Sequence, residues 1–140
     1  MFTTNRDQLR QLWANAWHKF MQHQALQPLE QQLVDVLRWH PEYHAVLNQT
    51  HAEYLPEQGQ SNPFLHMGMH LALREQVSTN RPAGIRDCYQ KLTRQLGDEH
   101  AAEHSMIECL AEALWQAQKQ HTAPDEAAYL LCLNQLAKII

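Results

Sequence analysis

The sequence predicts an all-α fold, a helical bundle of about five or six helices. Apolar residues recur at three- and four-residue steps along most of the chain, which is the spacing of one helix face. We find no stretch in which apolar and polar residues alternate as they do in a strand. The chain has 140 residues, 44% of them apolar, which is enough for one buried core. We therefore expect a single helical domain over residues 1–140.

The first half of the chain predicts two helices, a helical turn and a loop. The apolar stripe of the first helix consists of Leu9, Leu12, Trp13, Ala16, Trp17 and Phe20. Pro28 suits the first turn of a second helix, and Pro41 predicts a break near Trp39 because it lacks a backbone donor. A short helical turn is expected over residues 42–47. Residues 49–63 are expected to form a loop, long enough to cover a site.

The second half predicts four helices with clear end signals. Asn62 and Pro63 are typical of a helix start, and this helix should run to about Val77. Residues 85–96 form the next amphipathic stretch, which Gly97 closes. Asp98 is expected to cap a long helix to about residue 120. The segment 123–126 is expected to begin a last helix, which continues to the C-terminus.

Charge and cysteine content exclude several classes of protein. Eleven basic and fifteen acidic residues give a net charge of -4, and no basic face is apparent, so we expect neither nucleic acid nor a membrane as partner. No apolar run approaches the roughly 20 residues of a membrane span. The N-terminal segment lacks the pattern of a secretory signal, which favours a cytoplasmic location. Three well-separated cysteines, Cys88, Cys109 and Cys132, are expected to be reduced thiols in or near the core.

Histidine is unusually frequent, with ten residues in the chain. Six of them form three pairs at i, i+4 spacing: His40 with His44, His66 with His70, and His100 with His104. Random placement would give about 0.6 such pairs. Residues four apart on a helix lie one above the other, so two imidazoles can turn toward one cation. The three pairs predict a metal site carried by several helices.

The pairs also continue apolar stripes, which places them on faces expected to be buried. Burying an imidazole without a partner costs about 1 to 3 kcal/mol, and one or two divalent ions would satisfy all six rings. Iron, manganese and zinc suit such a site. Glu108 extends the row of His100 and His104 by one turn and is the first candidate for a carboxylate ligand. Glu103 and Glu99 are expected to be hydrogen-bond partners of ligand rings or solvent-exposed residues.

Three interpretations of this cluster stay open. If the protein is an enzyme, the metal would activate water or dioxygen. Two ions would favour redox chemistry or oxygen handling, whereas one zinc-like ion would favour hydrolysis or group transfer. In either case the sequence does not identify the small-molecule substrate. A second interpretation is a proton-sensitive switch that works between about pH 5 and 7 without metal. The third is a non-catalytic helical interaction module or homodimer, in which the histidines are structural.

Four segments resemble the bacterial domain-of-unknown-function 1841 family. They are His40-Pro-Glu-Tyr-His44, the stretch 62–76 with His66 and His70, Gly97-Asp-Glu-His100-Ala-Ala-Glu-His104, and the stretch 124–130. This resemblance implies a bacterial protein and supplies no reaction. The paired histidine rows are more distantly similar to two kinds of metal-binding bundle, hemerythrin-like proteins with two irons and DinB-like proteins with one divalent ion. The chain lacks the lone first-helix histidine of the hemerythrin pattern, and its surplus of histidines over a three-histidine site favours two ions.

Overall fold

The protein was studied as a computed structural model, which describes residues 2–50, 52 and 62–139. The described residues contain six α-helices, one 3₁₀ helix and no strand, which confirms the all-α fold. The α-helices are α1 (Phe2–Met21), α2 (Pro28–Arg38), α3 (Pro63–Thr79), α4 (Ile85–Leu96), α5 (Glu99–Gln120) and α6 (Glu126–Ile139), and the 3₁₀ helix is Pro41–Asn48. Most of the predicted loop 49–63, including any role in covering a site, lies outside the described residues.

The chain divides into two compact units, residues 1–68 and residues 69–140. The division falls inside α3, between Gly68 and Met69, so that one continuous helix belongs to both units. Each unit is described below by itself. The single domain expected from the sequence stays a prediction.

In residues 1–68, α1, α2 and the 3₁₀ helix pack against one another. The buried apolar side chains of these three elements are Trp13, Ala16, Leu33, Val34, Val36, Leu37 and Leu47. Pro28 occupies the first turn of α2, as predicted, because a proline there loses no helical hydrogen bond. Helix α2 ends at Arg38, and Pro41 then begins the 3₁₀ helix. The break predicted near Trp39 is confirmed.

In residues 69–140, helices α4, α5 and α6 pack pairwise around one apolar core, to which α3 contributes Leu73. The other fully buried members of this core are Ile85, Leu92, Ala102, Met106 and Leu133. Gly97 closes α4 at a φ of 73°, a conformation that costs glycine little. The Asp98 side chain accepts hydrogen bonds from the backbone of His100 and Ala101 and so begins α5, as predicted.

The prediction of three reduced cysteines is wrong for two of them. Cys109 on α5 and Cys132 on α6 form a disulfide, and their Cα atoms lie 5.8 Å apart, within the range that a disulfide spans. Only five residues separate α5 from α6, so the chain returns directly and brings the two positions together. Cys88 is a buried free thiol, and burial is the main cause of its raised pKa. Three cysteines are compatible with three free thiols and equally with one disulfide plus one free thiol, so their number alone could not reveal this pairing.

Each described helix falls short of the combined length and hydropathy that crossing a bilayer demands. This agrees with the absence of a long apolar run in the sequence. The cytoplasmic location stays a prediction.

Candidate metal centre

The three histidine pairs lie on three elements of the fold. The first pair is at the 3₁₀ helix, with His40 at its N-cap and His44 within it. His66 and His70 are one turn apart on α3, and His100 and His104 are one turn apart on α5. Asn62 caps the start of α3, the helix that carries the second pair, by accepting hydrogen bonds from the backbone of Phe64 and Leu65.

His70 is fully buried, and a carboxylate fixes its ring. Its Nδ1 lies 2.8 Å from Glu103 Oε1, and Glu103 is only 2% exposed. Arg74 Nε donates to the same carboxylate at 3.2 Å and 3.3 Å, which compensates the buried charge. A carboxylate only accepts, so the neutral His70 ring carries its proton on Nδ1 and its lone pair on Nε2. This is the tautomer that a metal-ligating histidine adopts when a carboxylate orients it.

Two more imidazoles surround His70 within residues 69–140. The ring centroids of His104 and His100 lie 5.0 Å and 5.5 Å from that of His70. The Nε2 atoms of His100 and His104 are 3.0 Å apart. Two nitrogens that each bind a tetrahedral ion at 2.0–2.1 Å are separated by about 3.3 Å. The spacing of this pair therefore suits either a shared proton or a shared cation.

His40 repeats the carboxylate arrangement within residues 1–68. It is 2% exposed, and its Nδ1 lies 2.8 Å from Glu42 Oε2. The His66 ring meets it edge-on with centroids 5.0 Å apart, and Tyr43 stacks on it at 5.0 Å. Burial, and secondarily the Glu42 charge, raise the pKa of Tyr43 and keep this phenol neutral. His40 thus offers Nε2 in the same tautomer as His70.

The remaining predicted ligands have different surroundings. His44 Nε2 donates to the carbonyl oxygen of Leu37 at 2.8 Å, and its ring stacks on Trp17 with centroids 4.2 Å apart. Glu108 is exposed on α5. His44 and Glu108 stay predictions from the sequence.

Among the described residues, a group of side chains that could hold a metal ion consists of four histidines, His40, His66, His70 and His104. Each contributes one ring nitrogen. Glu42 and Glu103, described above, contact the Nδ1 atoms of His40 and His70. Such a nitrogen-rich set suits zinc, iron, copper or nickel better than manganese or magnesium. A metal bound there would act as a Lewis acid toward water or a substrate oxygen.

The sequence pointed to Glu103 only as one of several possible partners and did not identify Glu42. Glu103 precedes His104 directly, so on α5 the two side chains are separated by about 100°. Glu103 and His104 can therefore approach the same histidine of α3, His70, from different sides. Glu42 is two residues after His40, a spacing that brings no contact on an α-helix. It makes contact here because His40 is in a non-helical conformation at the N-cap.

The comparisons with known proteins give a family and no function. Residues 5–135 match the family described as a domain of unknown function, DUF1841, which is nearly the whole chain. Neither the curated proteins nor the solved structures gave a match.

Proposed function

This chain belongs to the DUF1841 family, and we propose that it binds a divalent metal ion through His40, His66, His70 and His104. One arrangement, which occurs twice, carries the proposal. A buried histidine, His40 or His70, has its Nδ1 next to a glutamate oxygen, and a second histidine ring lies about 5 Å from it. A structural histidine needs one hydrogen bond. Two rings oriented in the same tautomer next to further imidazoles are what metal ligation requires.

The nitrogen donors favour a single zinc-like or iron ion over a carboxylate-bridged pair. No carboxylate belongs to the group of four histidines, and Glu103 and Glu42 are both engaged with ring Nδ1 atoms. His100 is a further nitrogen next to His104 and is the fifth candidate ligand. If three of these histidines bind a tetrahedral ion at one time, the fourth position is open to water, and the ion lowers the pKa of that water to about 7.

The reaction class that follows is metal-assisted hydrolysis. An ion held by these histidines would supply Lewis acidity, which activates water as the nucleophile and polarises a substrate oxygen. The Nδ1 hydrogen bond to Glu103 would orient the His70 ring and strengthen it as a ligand, and Arg74 holds the same carboxylate in place. Iron in the same site would supply redox chemistry toward dioxygen instead.

A second candidate function is a non-catalytic helical module in which the histidines are structural. It is favoured by the protein partners of the rings, since His40, His44 and His70 each hydrogen-bond an oxygen of the chain. Such bonds satisfy a buried imidazole without a metal. This candidate predicts a protein that folds and functions free of metal.

Elemental analysis of protein purified without a histidine tag separates the two candidates. We expect close to one equivalent of zinc or iron per chain. The variant His104→Ala should lose the metal and keep its fold, because His104 is exposed on α5. The matched control is His18→Ala, also an exposed histidine on a helix, which should keep the metal. A metal-free wild-type protein that cannot be loaded with zinc or iron would contradict the proposal.

A further inference from the structure

A partly open groove of about 210 Å³ runs along α5 and α6, and both cysteines of the disulfide line it. Two carboxylates, Glu112 and Asp125, also line the groove, and no lysine or arginine does so among the described residues. We propose that the Cys109–Cys132 disulfide is a thiol-exchange site, selective for thiols that are neutral or positively charged. This inference is independent of the metal centre.

The two cysteine residues differ in exposure, which favours one of them as the point of attack by a thiol. Cys109 is 2% exposed, whereas Cys132 is half-buried. Exchange requires an attacking thiolate in line with the S–S bond, and access is one of the factors that set its rate. A thiol in the groove therefore meets Cys132 Sγ first, and Cys109 is the leaving group.

The exchange balances with two equivalents of an external thiol as reductant. The first thiolate forms a bond to Cys132 Sγ, the Cys109–Cys132 bond breaks, and the Cys109 thiolate takes a proton from water. A second thiolate then attacks the external sulfur of this mixed disulfide, which releases the external disulfide and the Cys132 thiolate, and this thiolate also takes a proton from water. Two external thiols are oxidised to one disulfide, and the protein disulfide is reduced to two thiols.

The charge of the groove selects among such thiols. Glu112 is three residues after Cys109 on α5, nearly one helical turn along, and Asp125 immediately precedes α6. Like charges repel at close range, so an anionic thiol is disfavoured and a cationic one is attracted. The effect should weaken with salt, since the groove is partly open to solvent.

Reduction should leave the fold intact, because α5 and α6 are held together by more than the disulfide. Ile107 and Leu110 of α5 belong to the same apolar core as Tyr129 and Leu133 of α6. The Tyr129 hydroxyl also donates to Gln76 Oε1 of α3 at 2.7 Å. A protein of this length buries enough apolar surface to fold without a disulfide. In a reducing compartment, a disulfide of this kind is typically a transient or sensing one.

The test is the rate of reduction by three small thiols, namely cysteamine, 2-mercaptoethanol and thioglycolate, which are cationic, neutral and anionic. Each rate is followed by mass spectrometry and normalised to the rate of the same thiol with a small neutral disulfide. At low ionic strength we expect the normalised rate of cysteamine to exceed that of thioglycolate at least about threefold. The ratio should fall toward one at high salt.

Two variants make this test specific. Glu112→Gln should lower the ratio of cysteamine to thioglycolate, whereas the control Glu75→Gln removes an exposed carboxylate outside the groove and should not. Equal normalised rates for the three thiols in the wild-type protein would overturn the charge selection. Reduction that occurs only as fast as global unfolding, measured separately in urea, would overturn the exchange site as a whole.

Discussion

His40 and His70 are the two buried histidines of the described chain, and the same hydrogen bond fixes both rings. In each, Nδ1 lies 2.8 Å from a glutamate oxygen. The glutamates differ. The Glu103 side chain is 3% exposed and paired with Arg74, whereas the Glu42 side chain is 58% exposed. The orientation of His70 therefore depends on a buried network, whereas water can replace the partner of His40.

This difference assigns unequal roles to two chemically similar contacts. A buried charged hydrogen bond is strong, and it is expensive to break because the remaining partner cannot be solvated. An exposed one contributes little, since solvent screens the charge and competes for the donor. We expect the half of the metal centre at α3 and α5 to be preorganised, and the half at the 3₁₀ helix to adapt to the bound ion.

The largest effect should come from removing each buried ring in turn. His70→Ala and His40→Ala both lose a ligand, so both should lose the metal. In the metal-free state, His70→Ala should be less stable than His40→Ala by about 1–3 kcal/mol, because Glu103 loses a hydrogen bond that water cannot replace. Urea denaturation of the two metal-free variants measures this difference. Equal stability of the two would contradict the contrast between the halves.

The glutamates sharpen the comparison without removing a ligand. Glu103→Gln should weaken metal affinity by about 10- to 100-fold, because the amide is a poorer acceptor for the His70 ring and no longer carries the negative charge that pairs with Arg74. Glu42→Gln should weaken it by less than about 3-fold, as expected for a solvent-exposed charged contact. Competition with a chromophoric chelator measures both affinities. A larger effect at Glu42 than at Glu103 would reverse the account.

His44 tests whether every histidine of the three pairs is a ligand. Since its Nε2 donates to Leu37 and its ring packs on Trp17, His44→Ala should keep the full metal content. It should lower the stability of the protein by about 1 kcal/mol through the lost hydrogen bond. Metal analysis together with urea denaturation checks both parts. Loss of the metal would restore His44 to the ligand set that the sequence predicts.

The smallest effect concerns Glu30, a carboxylate in residues 1–68 that lies apart from the histidines. Hydrogen bonds from Lys19 and from the backbone of Gln27 lower the pKa of Glu30 below its ordinary value. The pKa of Glu30 is therefore lower in the folded state than in the unfolded state. The contacts of Glu30 stabilise the folded state fully when the pH is above the unfolded pKa, and this contribution is lost as the pH falls through the folded pKa. Glu30→Gln should flatten the acid side of a stability–pH profile below about pH 4.5. An unchanged slope would show that this contact contributes nothing.

The sequence predicted the helices well because their end signals are local. Pro28, Asn62, Gly97 and Asp98 act within one turn of the chain, and each lies at the predicted helix end. The pairing of Cys109 with Cys132 could not be predicted in this way. It depends on the packing of two helices, which no spacing in the sequence encodes.

The candidate site was predicted in part for the same reason. The i, i+4 spacing of the histidines is local, and the predicted ligands include all four histidines of the group that could hold a metal ion. The hydrogen-bond partner of each ring, in contrast, depends on tertiary packing. Nothing in the spacing assigns Glu103 to a histidine 33 residues away, or turns His44 toward Leu37 and Trp17.

X-ray absorption at the metal edge tests the central claim most directly, because it identifies the atoms bound to the ion. For zinc-loaded protein, we expect a first shell of nitrogens at about 2.0–2.1 Å with the outer-shell scattering of imidazole rings. The spectrum should correspond to at least three histidines. A first shell made only of oxygens, or one with no imidazole scattering, would contradict the account.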